Sequence, residues 1–90
     1  MTKAEKLSEA QDFITRELQK HGAGRMDAMT WRQEAEDQFA ETCRLTVFQR
    51  GERFVFTFTL YELIEHYDSI HWERILREHI GDVLRELRYE

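Results

Sequence analysis

The chain has no proline and only one cysteine, Cys43, among its 90 residues. Without proline nothing forces a kink or a rigid turn, so caps and glycines must set the element boundaries. A lone cysteine excludes an internal disulfide, and nothing points to an oxidising compartment. There is no low-complexity tract and no internal repeat, so no linker stands out. One domain over residues 1–90 is expected. Apolar runs stay far below the roughly 20 residues that cross a bilayer. The opening Met1-Thr2-Lys3-Ala4-Glu5-Lys6 also lacks a signal-peptide core. A soluble, cytoplasmic protein without membrane contact is the expectation.

The chain is not short of apolar residues. Hydrophobic residues make up 41% of it, with six Phe, three Tyr and two Trp, which is too rich for a disordered chain. The net charge of -5 is unevenly spread. Residues 1–25 hold five Lys/Arg against four Asp/Glu, whereas 26–42 hold only Arg32 against five acids. Residues 43–58 are basic, with three Arg against one Glu, and 59–90 are acidic, with four Arg against eight acids. An acidic chain is repelled by nucleic acid at long range and steered toward basic partners.

The clearest local signal lies between Thr42 and Glu62. Cys43, Leu45 and Val47 alternate with Arg44 and Thr46, and Phe54, Phe56 and Phe58 alternate with Val55 and Thr57. Two such runs around a glycine-containing turn predict a β-hairpin. A two-residue loop at Arg50-Gly51 pairs Gln49 with Glu52, Val47 with Phe54, Leu45 with Phe56 and Cys43 with Phe58, so inward residues meet inward residues. Arg-Gly suits a type I′ turn less well than Asn-Gly, which leaves a longer, bulged loop as the rival. Thr59-Leu60-Tyr61-Glu62 has capping-box spacing and should open a helix.

Helical spacing elsewhere completes the outline. Over residues 3–20, Ala4, Leu7, Ala10, Ile14 and Leu18 share one face, and Gly22 and Gly24 are candidates for a positive-φ cap. Thr30-Trp31-Arg32-Gln33 has capping-box spacing, and Trp31, Ala35 and Phe39 recur every four residues, so a short helix over 30–41 is expected. Its rival is an early strand running into the hairpin. Leu60, Leu63 and Ile64 predict a short helix ending near Tyr67, and a last helix starts at Asp68 or Ser69 and runs to about Arg88. On it Trp72, Leu76, Ile80, Val83 and Leu87 cluster on one side, with Gly81 among the arginines of the other. The expected fold is α+β in the order α-α-β-β-α-α, an antiparallel hairpin packed on helices.

Signals for chemistry are weak. Glu62 and His66 stand four apart with His71 beyond them, but zinc needs three or four convergent ligands and no such set is complete. No metal or other cofactor is expected. Cys43 falls in the inward row beside Phe58, so it reads as a buried, chemically quiet thiol. His79, at the edge of the last helix's apolar face, reads as a partly buried histidine. An enzyme, metal-dependent or thiol-based, is therefore the weakest of three classes.

A nucleic-acid-binding regulator is the second class, resting on a stripe of Arg74, Arg77, Arg85 and Arg88 along the last helix. Glu73–Arg77 and Arg74–Glu78 spacing instead suggests internal pairing, and Arg85 and Arg88 suit a helix C-terminus. The leading class is a non-enzymatic protein–protein interaction module, with homodimerisation as one form. Phe48 and Val55 point away from the predicted core, flanked by Arg44 and Arg53. Glu34, Asp37 and Glu41 would project from one face of the expected second helix toward a basic protein. By analogy of size and charge only, one specific form is an acidic inhibitor that fills the basic groove of a nucleic-acid-handling protein, as phage-encoded anti-defence proteins can.

Overall fold

A computed structural model of the chain describes residues 2–22, 26–35 and 41–87, with the side chains of 34 and 35 left out. The elements run α1 (Lys3–Gly22), β1 (Ala28–Ala35), β2 (Glu41–Gln49), β3 (Glu52–Thr59), α2 (Leu60–Ile64) and α3 (Trp72–Glu86). The three strands form one antiparallel sheet in the order β1-β2-β3. The fold is α+β, but its order is α-β-β-β-α-α. The segment expected to be a short second helix is the first strand.

Helix α1 begins at a cap that sequence spacing alone had not singled out. The Thr2 hydroxyl accepts a hydrogen bond from the Glu5 amide at 3.2 Å and donates to the Glu5 carboxylate at 3.1 Å. Two groups at the helix start are thereby satisfied locally. Leu7, Ala10, Ile14 and Leu18 are buried along one face, whereas Ala4 is exposed. Gly22 is the last helical residue and does not adopt positive φ. Its small size matters instead, because a Cβ there would come within 2.9 Å of the Met26 side chain. Gly24 lies outside the described residues.

The hairpin has the expected register, with Val47 opposite Phe54, Leu45 opposite Phe56 and Cys43 opposite Phe58. Its loop is the two-residue form. Arg50 and Gly51 have φ of 53° and 78°, both left-handed, as a type I′ turn requires. Such a turn twists with the strands, which outweighs the modest strain of placing arginine at positive φ.

Strand β1 pairs with β2 so that Trp31 lies opposite Leu45 and Met29 opposite Val47. The Trp31 indole N–H donates to the Thr15 hydroxyl on α1 at 2.8 Å, and its ring lies 6.1 Å from that of Phe58. A tryptophan on the inner row, with its polar edge satisfied by a helix, holds this segment extended. Local helix propensity is small beside such tertiary packing.

All three helices contribute to one core against the inner face of the sheet. Leu7, Ile14, Leu18, Leu60, Leu63, Leu76, Ile80, Val83 and Leu87 cluster with Cys43, Leu45, Val47 and Phe58. The Thr59 hydroxyl caps α2 by accepting from the Glu62 amide at 3.0 Å. Helix α3 starts at Trp72, later than the expected Asp68 or Ser69, after a turn in which the Ser69 hydroxyl accepts from the His71 amide. Trp72 donates to the Leu63 carbonyl at 2.9 Å and meets Tyr67 edge-on, which fixes α3 against α2.

Candidate functional site

Side chains on a strand alternate between faces, and directly paired residues share a face. The register therefore lays out the outer face as rows: Ala28, Phe48 and Arg53; Thr30, Thr46 and Val55; Arg32, Arg44 and Thr57. The inner row of β2 is fully buried, with Cys43, Leu45 and Val47 at 0% exposure. On the outer face Phe48 is 38% and Val55 45% exposed. Phe48 and Arg53 sit opposite each other at a non-hydrogen-bonded pair, where side chains approach most closely. The aliphatic stem of Arg53 can therefore flank the Phe48 ring while its charge stays in water.

This face unites Phe48, Val55, Arg44 and Arg53, as the alternation predicts, and adds Thr30 and Arg32 from β1. Arg44 is half-buried and Arg53 exposed. The addition was hidden by the expectation of a helix. The signal that would have found it is the two-residue step from Met29 to Trp31 to Gln33, which only a strand keeps on one face.

The acidic residues do not form the expected surface. Glu34 is in β1, opposite Thr42, while Glu41 begins β2, opposite Ala35. Register positions 34 and 41 thus fall on different faces. The Glu41 carboxylate pairs with Lys3 of α1 at 3.1 Å, on the helix side of the sheet. Asp37 lies outside the described residues. A common helical face for Glu34, Asp37 and Glu41 is excluded, since 28–35 is strand.

On α3, Arg74, Arg77 and Arg85 are exposed, and Arg88 lies outside the described residues. Among the described residues of this helix the ion pair joins Arg85 to Asp82, three residues apart, rather than the four-apart pairs expected. The Arg77 guanidinium sits 5.5 Å from the Phe13 ring centre of α1. Two of the described arginines are thus engaged within the molecule.

The candidate reactive groups are separated. Cys43 is buried, and desolvation pushes its thiol above the usual range, opposed by a hydrogen bond with Gln11. His66 follows the end of α2 and stands 3.6 Å from Glu65, so Glu62 and His66 do not share a helix. His79 rests edge-on against Phe58 at 5.8 Å. Among the described residues no three His, Cys, Asp or Glu side chains converge as a metal site. No described helix is long and apolar enough to cross a membrane.

Two tyrosines outside these candidates are perturbed: the Tyr61 hydroxyl donates to Glu65, which pushes its pKa up, and Tyr67 is shifted further. The Tyr67 hydroxyl donates to Glu9 on α1 at 2.5 Å, and its pKa is pushed up to about 12, chiefly by that hydrogen bond. Lys6 lies 5.3 Å from the same ring. These contacts join the α2–α3 connection to α1 and do not form a cleft.

Sequence comparison with protein-family models and with curated proteins, and structural comparison with solved structures, return no match.

Proposed function

We propose that this chain is a non-enzymatic protein-binding module that engages its partner through the face of the sheet turned away from the helices. The observation that carries the reading is the pair of exposed apolar residues there, Phe48 at 38% and Val55 at 45%, beside Arg44 and Arg53. An aromatic ring with arginine at its flank is a composition enriched at the energetic centres of interfaces. The acidic balance of the whole chain favours encounter with a basic partner, while the apolar anchors set residence time. The narrower reading, an acidic inhibitor of a nucleic-acid-handling protein, draws on size and charge alone.

Isolation of partners from the native host with the full chain as bait tests this directly. Phe48→Ala should abolish recovery of a partner that the parent chain retains. Association with a basic partner should slow as salt is raised, because the net negative charge of the chain steers the encounter. Full retention of the partner by Phe48→Ala, with the same oligomeric state, would remove the outer face from the proposal.

A further inference from the structure

A second surface lies along the outer edge of β3. In a two-residue hairpin the residues flanking the loop, Gln49 and Glu52, form a hydrogen-bonded pair, and bonded and non-bonded pairs then alternate. Residues 52, 54, 56 and 58 therefore bond to β2. The amides and carbonyls of Arg53, Val55 and Thr57 point the other way, toward the edge. β3 is terminal in the sheet, so among the described residues no strand lies beside those groups.

Exposed edges are normally blunted by proline, a bulge or an inward-pointing charge. Strand β3, Glu52–Thr59, has no proline and no bulge; its single inward charge, Glu52, stands beside the turn, and the rest of its inward row is Phe54, Phe56 and Phe58. Beside the edge runs an open groove of about 340 Å³ between β3 and α3. Val55, Phe56, Thr57, Phe58 and Val83 line it, and His79, Asp82 and Glu86 bring polar groups to it. An open strand edge next to a lined groove has the form used for strand addition, in which main-chain bonds supply affinity and alternate side chains enter pockets.

We infer that β3 takes up an extended segment of a partner protein as a fourth strand, one that carries lysine or arginine at alternate positions. The inference rests on the reading of the chain as a protein-binding module and names a further mode of contact. The choice of cation follows from Asp82 and Glu86. They stand four residues apart on α3, about 6 Å along the axis. Side chains two apart on a strand are separated by about 6.8 Å. Two cationic side chains on the groove-facing row of an added strand can thus reach one carboxylate each. Their stems lie over Phe56, Phe58 and Val83, which suits long side chains with an apolar body and a charged tip. Asp82 already pairs with Arg85, but both groups are exposed, and such pairs exchange at little cost. A second copy of this chain fits less well, because it would set its own Asp82 and Glu86 against the same carboxylates.

The test uses the full chain, labelled with nitrogen-15, and two soluble peptides of identical composition. One is acetyl-Thr-Lys-Thr-Lys-Thr-Lys-Thr-amide; the other holds its three lysines in one central block. The alternating peptide should bind about tenfold tighter or better, the scale of one well-formed set of charge-assisted contacts. It should also slow hydrogen exchange at the Val55 and Thr57 amides. Glu86→Lys should remove the preference. Thr57→Pro should remove binding while leaving the β2–β3 ladder intact, since the Thr57 amide faces outward. Equal affinity for the two peptides, unchanged exchange at both amides, or no binding of either at millimolar concentration would overturn the inference. None of those results touches the Phe48 experiment, which probes a face of the sheet rather than its edge and fails or succeeds on its own.

Discussion

The two faces of the sheet are made from the same strands and differ almost completely in what surrounds them. On the inner face Cys43, Leu45 and Val47 are fully buried under three helices; one residue along, Phe48 is 38% exposed, and across the hairpin Val55 is 45% exposed. Alternation alone separates the two environments. Burial of the inner row removes apolar surface from water and so carries folding free energy, at roughly 25 cal/mol per Å². Phe48 and Val55 on the outer face keep 38% and 45% of their surface in water, and that share of the driving force remains for an association. One face holds the molecule together, and the other is where a partner can gain.

The largest effect is expected where the inner face is opened. Leu45→Ala removes a fully buried side chain opposite Phe56 and should cost about 2–5 kcal/mol, read as a lowered midpoint in chemical denaturation. A loss below about 0.5 kcal/mol, the scale of ordinary surface substitutions, would erase the contrast between the faces. Cys43 sharpens the same point kinetically. Its thiol is buried and pushed up by desolvation, so a thiol reagent should label it only as fast as the native state opens. Rapid labelling in the native state would contradict its place in the core.

Away from the inner face, substitutions should be mild and some should be favourable. Gly81 sits in α3, where an added Cβ would come no nearer than 4.0 Å to the Arg85 side chain. Gly81→Ala should therefore raise stability by about 1 kcal/mol through helix propensity. A fall in stability would show this surface to be more tightly occupied than the described contacts allow. Tyr67 contributes through pH. Its folded pKa of about 12 exceeds the ordinary value of about 10. The contribution is therefore complete below pH ~10 and is lost as pH rises toward ~12. Ultraviolet titration of the phenolate, compared between the parent and Tyr67→Phe, should show one ionisation missing near the upper end of that window.

The hairpin was legible because period-two alternation has no helical counterpart once six inward residues obey it. The register followed from the same rows, since a one-residue slip would turn one apolar set to solvent. The first strand was not legible for a specific geometric reason. Trp31, Ala35 and Phe39 recur every four residues, a spacing that places side chains on one face of a helix and equally on one face of a strand. Capping-box spacing at Thr30 then favoured the helix. What decided against it was tertiary: the indole of Trp31 reaches Thr15 of α1, a contact no local pattern contains. The same substitution of strand for helix dispersed Glu34 and Glu41 and brought Thr30 and Arg32 to the outer face. Phe48 and Val55 were legible because their exposure depends only on hairpin parity. The β3 groove was not, because it exists only where α3 crosses beside the strand edge.

The measurement that tests the central claim most directly is a paired one on Phe48→Ala: thermal stability of the isolated chain and recovery of the native partner. A stability loss of about 1 kcal/mol, well below that of Leu45→Ala, is expected together with loss of the partner. A variant that is destabilised as strongly as Leu45→Ala, or one that keeps both its stability and its partner, would contradict the division of labour between the two faces.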